Sequence, residues 1–217
     1  MKWSYSSLKQ FKTCPKQYYE IRVAKNFIPR EGDDARYGKE VHKALEEYVR
    51  DGKPLPKFYQ QFRKMVDPLL DIPGTKYCEY EMALTAALKP CGFMSEEYWV
   101  RGIADLLIVD GDTAFIVDYK TCKTGYADPN QLKLMALMVF AHFPEVQKVK
   151  AGLMFVSYDA FYPENYERAD SAAMWDVFYK DLERLSIAFD NAVWPPKPTG
   201  LCRRHCSVES CKFYGGD

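Results

Sequence analysis

Residues 98–120 read YWVRGIADLLIVDGDTAFIVDYK. Two runs rich in Val, Ile, Leu and Phe flank Asp110-Gly111, a dipeptide suited to a tight hairpin. The pattern predicts strands over 98–109 and 113–120. The apolar run Phe115-Ile116-Val117 reads as a buried strand and ends in Asp118-Tyr119-Lys120. Residues two apart on a strand share a face, so Asp118 and Lys120 point the same way. A tight turn at Asp110-Gly111 would pair Asp105 with Ile116, and a four-residue loop from Asp110 to Thr113 would pair it with Asp118. Both registers set Asp105 on the face of Asp118 and Lys120; a three-residue loop would set it on the other.

Helical patterns surround this hairpin. Ser6 is read as the cap of a short helix through Leu8 and Phe11 that stops near Pro15, with a second short helix after it. Residues 35–50 place Val41, Leu45 and Tyr48 on one helical face, and Asp51-Gly52-Lys53-Pro54 ends that helix. A weaker helical stretch covers 58–70, and 77–88 reads as a strand. Asp128-Pro129 opens a helix to about residue 143, with Asp128 as cap and Pro129 in the first turn. Residues 150–158 form an apolar strand and 168–193 a long helix. A proline-rich linker over 194–200 then leads to a cysteine-rich tail. Helices, a three-stranded meander, a helix, a strand and a helix make an α/β layer architecture.

The 217 residues fit one domain, or one domain with a small appendage. We divide the chain as a single domain over 1–217. It has a basic and aromatic helical segment at 1–30, a sheet core at 71–160, and a tail at 194–217 packing with the N-terminus. No apolar run reaches the roughly 20 residues needed to cross a bilayer, and the N-terminus lacks the apolar core of a signal peptide. No membrane association and a cytoplasmic location are expected. A formal net charge of zero argues against a uniformly basic nucleic-acid binder. The first 30 residues do carry Lys2, Lys9, Lys12, Lys16, Arg22, Lys25 and Arg30 against Glu20 alone. Interleaved aromatics (Trp3, Tyr5, Phe11, Tyr18, Tyr19, Phe27) would suit a nucleic-acid backbone and stacked bases. The reading favoured for this feature alone is a solvated helix with an aromatic core face.

Two carboxylates on adjacent strands repel unless something offsets them. A divalent cation does so: Mg²⁺ takes one or two carboxylates together with water and phosphate oxygens. Such an ion polarises a scissile phosphate and activates water, and Lys120 could orient that water or stabilise charge on the phosphate. Alone, Asp-x-Lys is common as a solvated pair. His42 lies beside the apolar face of its helix, one turn after Gly38, which permits close approach of another backbone. An imidazole added to two carboxylates suits Mn²⁺ as well as Mg²⁺. Gln131, in the first turn of its helix, could position a water or a phosphate.

Gly38-x-x-x-His42, Gly102-x-x-Asp105, Ile116-Val117-Asp118-Tyr119-Lys120-Thr121 and Gln131-Leu132 follow in that order. With the opening Ser6-x-Leu8-x-x-Phe11-x-x-Cys14-Pro15, the set resembles the RecB-type nuclease domain of the PD-(D/E)XK superfamily over nearly the whole chain. The resemblance implies a central mixed sheet flanked by helices, a restriction-endonuclease-like core, and phosphodiester hydrolysis with Mg²⁺ or Mn²⁺. It makes His42, Asp105 and Asp118 metal ligands, with the Tyr119 carbonyl a fourth. Lys120 becomes the catalytic lysine and Gln131 its supporting helix residue. Glu79 or Glu81 is a lesser candidate for the same site. One departure is Met135, where the family often has Tyr four residues after this Gln.

Seven cysteines are an odd number, and a reducing setting disfavours a disulfide framework. Cys14 with Cys202, Cys206 and Cys211 resembles the layout of the iron–sulfur nucleases of the AddB and CRISPR-adaptation kind, although the tail spacing is C-x3-C-x4-C rather than C-x2-C-x5-C. The resemblance implies a [4Fe–4S] cluster. Four thiolates suit a cubane and equally tetrahedral Zn²⁺, with His205 able to replace Cys206. Cys78, Cys91 and Cys122 are read as packing residues. Lys12, Lys16, Arg203, Arg204 and Lys212 would form a basic collar around the cysteines. The expected activity is a DNA exonuclease on single-stranded ends, working in recombination, repair or processing with a helicase or recombination partner. The alternatives are a non-catalytic module of the same fold that binds DNA ends or a partner, and a zinc module for protein contacts.

Overall fold

The computed structural model describes residues 1–29 and 32–215. Arg30, counted above with the N-terminal cations, lies outside them. The chain divides into two compact units, one of Asp33–Trp175 and one of Met1–Gly32 with Asp176–Asp217.

The first of these holds a six-stranded mixed sheet. Its strands are β1 (Thr75–Leu84), β2 (Pro90–Cys91), β3 (Val100–Asp110), β4 (Thr113–Lys120), β5 (Lys148–Phe155) and β6 (Ala160–Glu167), in the order β2-β1-β3-β4-β5-β6. All pairs are antiparallel except β4 with β5. A parallel pair needs a long crossover, supplied by α5 (Pro129–His142). Asp128 caps α5, its carboxylate accepting the Asn130 N–H, and Pro129 occupies the first turn. Every residue from Leu134 to Phe140 is buried, so α5 is a core helix, apolar all round. Helices α3 (Asp33–Asp51) and α4 (Arg63–Leu70) carry Val41, Leu45, Val66 and Leu69 into a cluster with Leu106, Ile108, Val117 and Tyr119 of the sheet.

The hairpin closes with Asp110 opposite Thr113 and a left-handed Gly111 (φ 58°), which is the register that carries Asp105 toward Asp118. The sequence reading passes over β2 and β6. Pro163 masks β6 in the pattern, yet on an edge strand its missing N–H leaves no central ladder bond unmade.

In the other unit, α1 (Tyr5–Thr13) is capped by Ser4, not by Ser6 as expected. The Ser4 hydroxyl accepts the Ser7 N–H while the Ser7 hydroxyl accepts the Ser4 N–H. α2 (Pro15–Tyr18) follows and continues as a π-helical turn, Tyr19–Val23. Trp3, Phe11 and Tyr18 of this segment are core, and Tyr19, Tyr18 and Phe11 pack on Trp194 with centroids 5.2, 5.8 and 6.3 Å away. The long C-terminal helix α6 is Ser171–Asp190, of which this unit holds the part from Asp176 onward. No helix among the described residues is long and apolar enough to cross a membrane.

Candidate active site

The site forms where regular pairing between β3 and β4 stops. The last paired residues are Leu106 and Val117. One step further Asp105 would face Asp118, but the Asp105 carboxylate occupies the gap. Its Oδ2 accepts the Tyr119 N–H at 2.7 Å and lies 3.4 Å from His42 Nδ1 on α3. Gly38, one turn before His42, lets α3 approach the chain after β4: a Cβ there would stand 3.2 Å from Thr121 Oγ1.

The strands beside this gap lose their alternation. Tyr77 and Tyr80 are three apart, yet both rings pack against Phe143, at 5.9 and 5.7 Å. Cys78 and Glu79 therefore both turn toward α3, and the cause is a left-handed Glu79 (φ 50°) within β1. A long side chain in that region is uncommon and costs conformational energy. β3 slips alike: Leu106 packs in the α3–α4 cluster, whereas Gly102, four residues away, lies under Met135 and Met138 of α5. The expectation that Asp105 shares the face of Asp118 and Lys120 is thus corrected. Asp105 sits at the slip, between the two faces, and its partner His42 comes from the opposite layer.

Donor atoms of His42, Glu79 and Asp105 all lie within 4.8 Å of one another, the only such group of three or more His, Cys, Asp or Glu residues among the described residues. His42 and Glu79 border an open cleft of about 420 Å³ lined also by Gly38, Lys39 and Lys43. One imidazole and two carboxylates are a donor set for Mg²⁺ or Mn²⁺. Asp118 and Lys120 do share a face, as expected. Lys120 Nζ lies 2.5 Å from Asp118 Oδ2 and donates to Gln131 Oε1 at 3.0 Å, while Gln131 Nε2 donates to Asp118 Oδ1 at 2.5 Å. The Lys120 ammonium is thus the close partner of the buried Asp118 Oδ2.

The electrostatics record this crowding. Burial first, then the Asp105 charge, pushes Glu79 up to about 7. Burial and Asp105 also raise Asp118, against the pull of Lys120. Burial pulls His42 down, but the Asp105 hydrogen bond and the charges of Asp105, Asp118 and Glu79 carry it above its ordinary value. A cation would reverse these shifts, favouring neutral His42 and ionised carboxylates. The Tyr119 side chain points away into the α3–α4 core, edge-on to His42, so it is the main chain that reaches the site. Met135, where the family often has Tyr, is buried over Gly102.

Cys14, Cys202, Cys206 and Cys211 line one cavity of the other unit. None is in a disulfide. Three of the sulfurs receive N–H groups: Cys14 from the Lys197 main chain and Cys202 from that of Thr199, both at 3.4 Å, and Cys206 from Gln17 Nε2 at 3.7 Å. Thr199 caps the turn that carries Cys202. His205 lines an outer cleft and not this cavity. Cys78 packs beside the α3–α4 cluster, but Cys122 is exposed, contrary to its reading as a packing residue.

A family model for the PD-(D/E)XK nuclease superfamily matches residues 2–71 and 64–211. Among solved structures, that of SSO0001 aligns at 15% identity and a TM-score of 0.49, covering 97% of this chain and 85% of that one. A protein named "Putative exonuclease", from Eubacterium rectale, aligns at 12% identity and a TM-score of 0.52, covering 93% and 85%. The second likeness, at 12% identity, is one of fold alone. No curated protein matches in sequence.

Proposed function

The chain belongs to the PD-(D/E)XK nuclease superfamily, and from that premise we propose that it is a metal-dependent deoxyribonuclease acting as an exonuclease on single-stranded ends. The observation that carries this reading is the meeting, at one break in the sheet, of the His42–Glu79–Asp105 group with a buried Asp118 paired to Lys120. His42, Asp105, Asp118 and the Tyr119 carbonyl, with Glu79 added, would hold Mg²⁺ or Mn²⁺. The buried Asp118 carboxylate, raised by burial and by the Asp105 charge, fits a cation ligand that would offset that crowding. When bound, the ion supplies Lewis acidity toward a phosphodiester oxygen and lowers the pKa of water. Lys120 is the catalytic lysine: its ammonium meets the charge that develops on the phosphate. Gln131 positions it, holding Lys120 with its oxygen and Asp118 with its amide.

The cysteine quartet would hold a [4Fe–4S] cluster. Free thiols around one cavity, receiving N–H groups, support an iron–sulfur site. Tetrahedral Zn²⁺ on the same four thiolates is the alternative. Bound metal would tie the two chain ends together. A helicase or recombination partner would present the DNA end, in recombination, repair or processing.

The test uses purified protein with end-labelled single- and double-stranded DNA in Mn²⁺, Mg²⁺ or EDTA. Stepwise shortening with metal, lost in EDTA and in Asp118→Asn, supports the reading. DNA bound but left intact under every metal condition means a non-catalytic module and ends it.

A further inference from the structure

The strongest unassigned surface is an open cleft of about 740 Å³ in the cysteine-rich unit, lined by Thr199, Gly200, Arg203, Arg204, His205, Lys212 and Phe213. Arg203, Arg204, His205 and Lys212 are exposed. The basic collar expected from the sequence divides here. Lys12 pairs with Asp181 at 2.7 Å and Lys16 with Glu20 at 3.2 Å, so both are neutralised. Arg203, Arg204 and Lys212 form no ion pair among the described residues, and all three open on the same cleft. Lys212 Nζ stands 5.0 Å from the centroid of the half-buried Phe213 ring. Gly200 leaves the wall free of a side chain, with nothing within 4 Å of where its Cβ would be.

We propose that this cleft binds single-stranded nucleic acid, its three unpaired cations on successive phosphates and Phe213 against a base. The identity of the polymer rests on the nuclease reading. The binding chemistry rests on the cleft itself. Unpaired Arg and Lys side chains facing one groove release counterions when they meet phosphates, which makes binding steeply salt-dependent. An aromatic face beside such a groove stacks any base, so the site has little sequence preference. Pro198, Cys202 and Phe213 line both this cleft and the four-cysteine cavity behind it, so the two share a wall. The cleft is a holding site distinct from the histidine-bearing cleft at Glu79.

Fluorescence anisotropy of a labelled single-stranded oligonucleotide, in EDTA to stop hydrolysis, tests this over a range of salt. The variant combines Arg203→Ala, Arg204→Ala and Lys212→Ala. It should bind at least about tenfold more weakly at low salt, and the slope of log affinity against log salt should become shallower by about 2, since each lost phosphate contact on a single strand removes about 0.7. Mn²⁺ affinity and circular dichroism should match wild type. Arg203→Lys with Arg204→Lys, which keeps the charge, should retain the slope. A triple-alanine variant with wild-type affinity and slope overturns the proposal while leaving the nuclease reading intact. Inorganic tripolyphosphate competing as well, phosphate for phosphate, as the oligonucleotide would reduce the cleft to a plain anion site and also overturn it. Wild-type protein that neither binds nor degrades DNA would defeat the nuclease reading itself.

Discussion

Glu79→Gln should make the metal-free protein more stable and the metal-bound protein less so. Burial and the neighbouring Asp105 raise the Glu79 carboxyl from 4.5 to about 7. A group whose folded pKa is raised binds more protons folded than unfolded, so its contribution is fully present below about 4.5 and is lost as pH rises through about 7. Taken at about 1.4 kcal/mol per pKa step, the penalty at pH 8 would be about 3 kcal/mol. Glu79 is only half-buried, and screening leaves about 1 kcal/mol. For a chain of this size that is about 2–4 °C in Tm. Gln keeps the shape and the left-handed backbone but cannot ionise. In EDTA at pH 8, Glu79→Gln should therefore melt about 2–4 °C above wild type, and at pH 5 the gap should shrink. Added Mn²⁺ stabilises in proportion to its binding, so wild type should gain more from it and overtake the variant. The assay is thermal denaturation by circular dichroism at the two pH values, with EDTA or Mn²⁺. A variant less stable than wild type in EDTA at pH 8 would refute the electrostatic reasoning, and an equal gain from Mn²⁺ would refute Glu79 as a ligand.

His42→Ala should weaken Mn²⁺ binding by about tenfold or more, with cleavage partly restored at high Mn²⁺; a calorimetric titration that leaves the affinity unchanged would make His42 a packing residue only. Gly102→Leu should cost about 1–3 kcal/mol in denaturant unfolding by overpacking, because a Cβ there already stands 2.6 Å from Met135 Cε. Adding Met135→Ala should return part of that loss, and no recovery would mean that the clash lies elsewhere. Anaerobically purified protein should contain iron and acid-labile sulfide, which Cys202→Ser should lower sharply; zinc alone would keep the quartet and overturn the cluster.

Much of the site was legible before any coordinates. Asp118 and Lys120 share a face because a strand repeats every two residues, and that local rule held along β4. The Asp128-Pro129 start of α5 follows from capping chemistry alone. The hairpin was legible as a hairpin, though two registers stayed open until the Asp110–Thr113 pairing chose between them. The tertiary structure decided the rest. Nothing local announces that Glu79 adopts a left-handed backbone, since a glutamate in a β-like run is expected to alternate. The slip it makes with Gly102 and Asp105 is held by layers far away in sequence: α3 with His42 on one side, α5 with Met135 on the other. Pattern reasoning therefore found Asp105, but set it wholly on one face where the structure puts it between two, and ranked Glu79 low. The basic collar shows the same limit. Lys12, Lys16, Arg203, Arg204 and Lys212 look alike in the sequence, and only packing shows that the first two meet Asp181 and Glu20 while the last three face open solvent. Composition determines which charges a chain carries; whether each is neutralised depends on which acids the fold brings within about 4 Å.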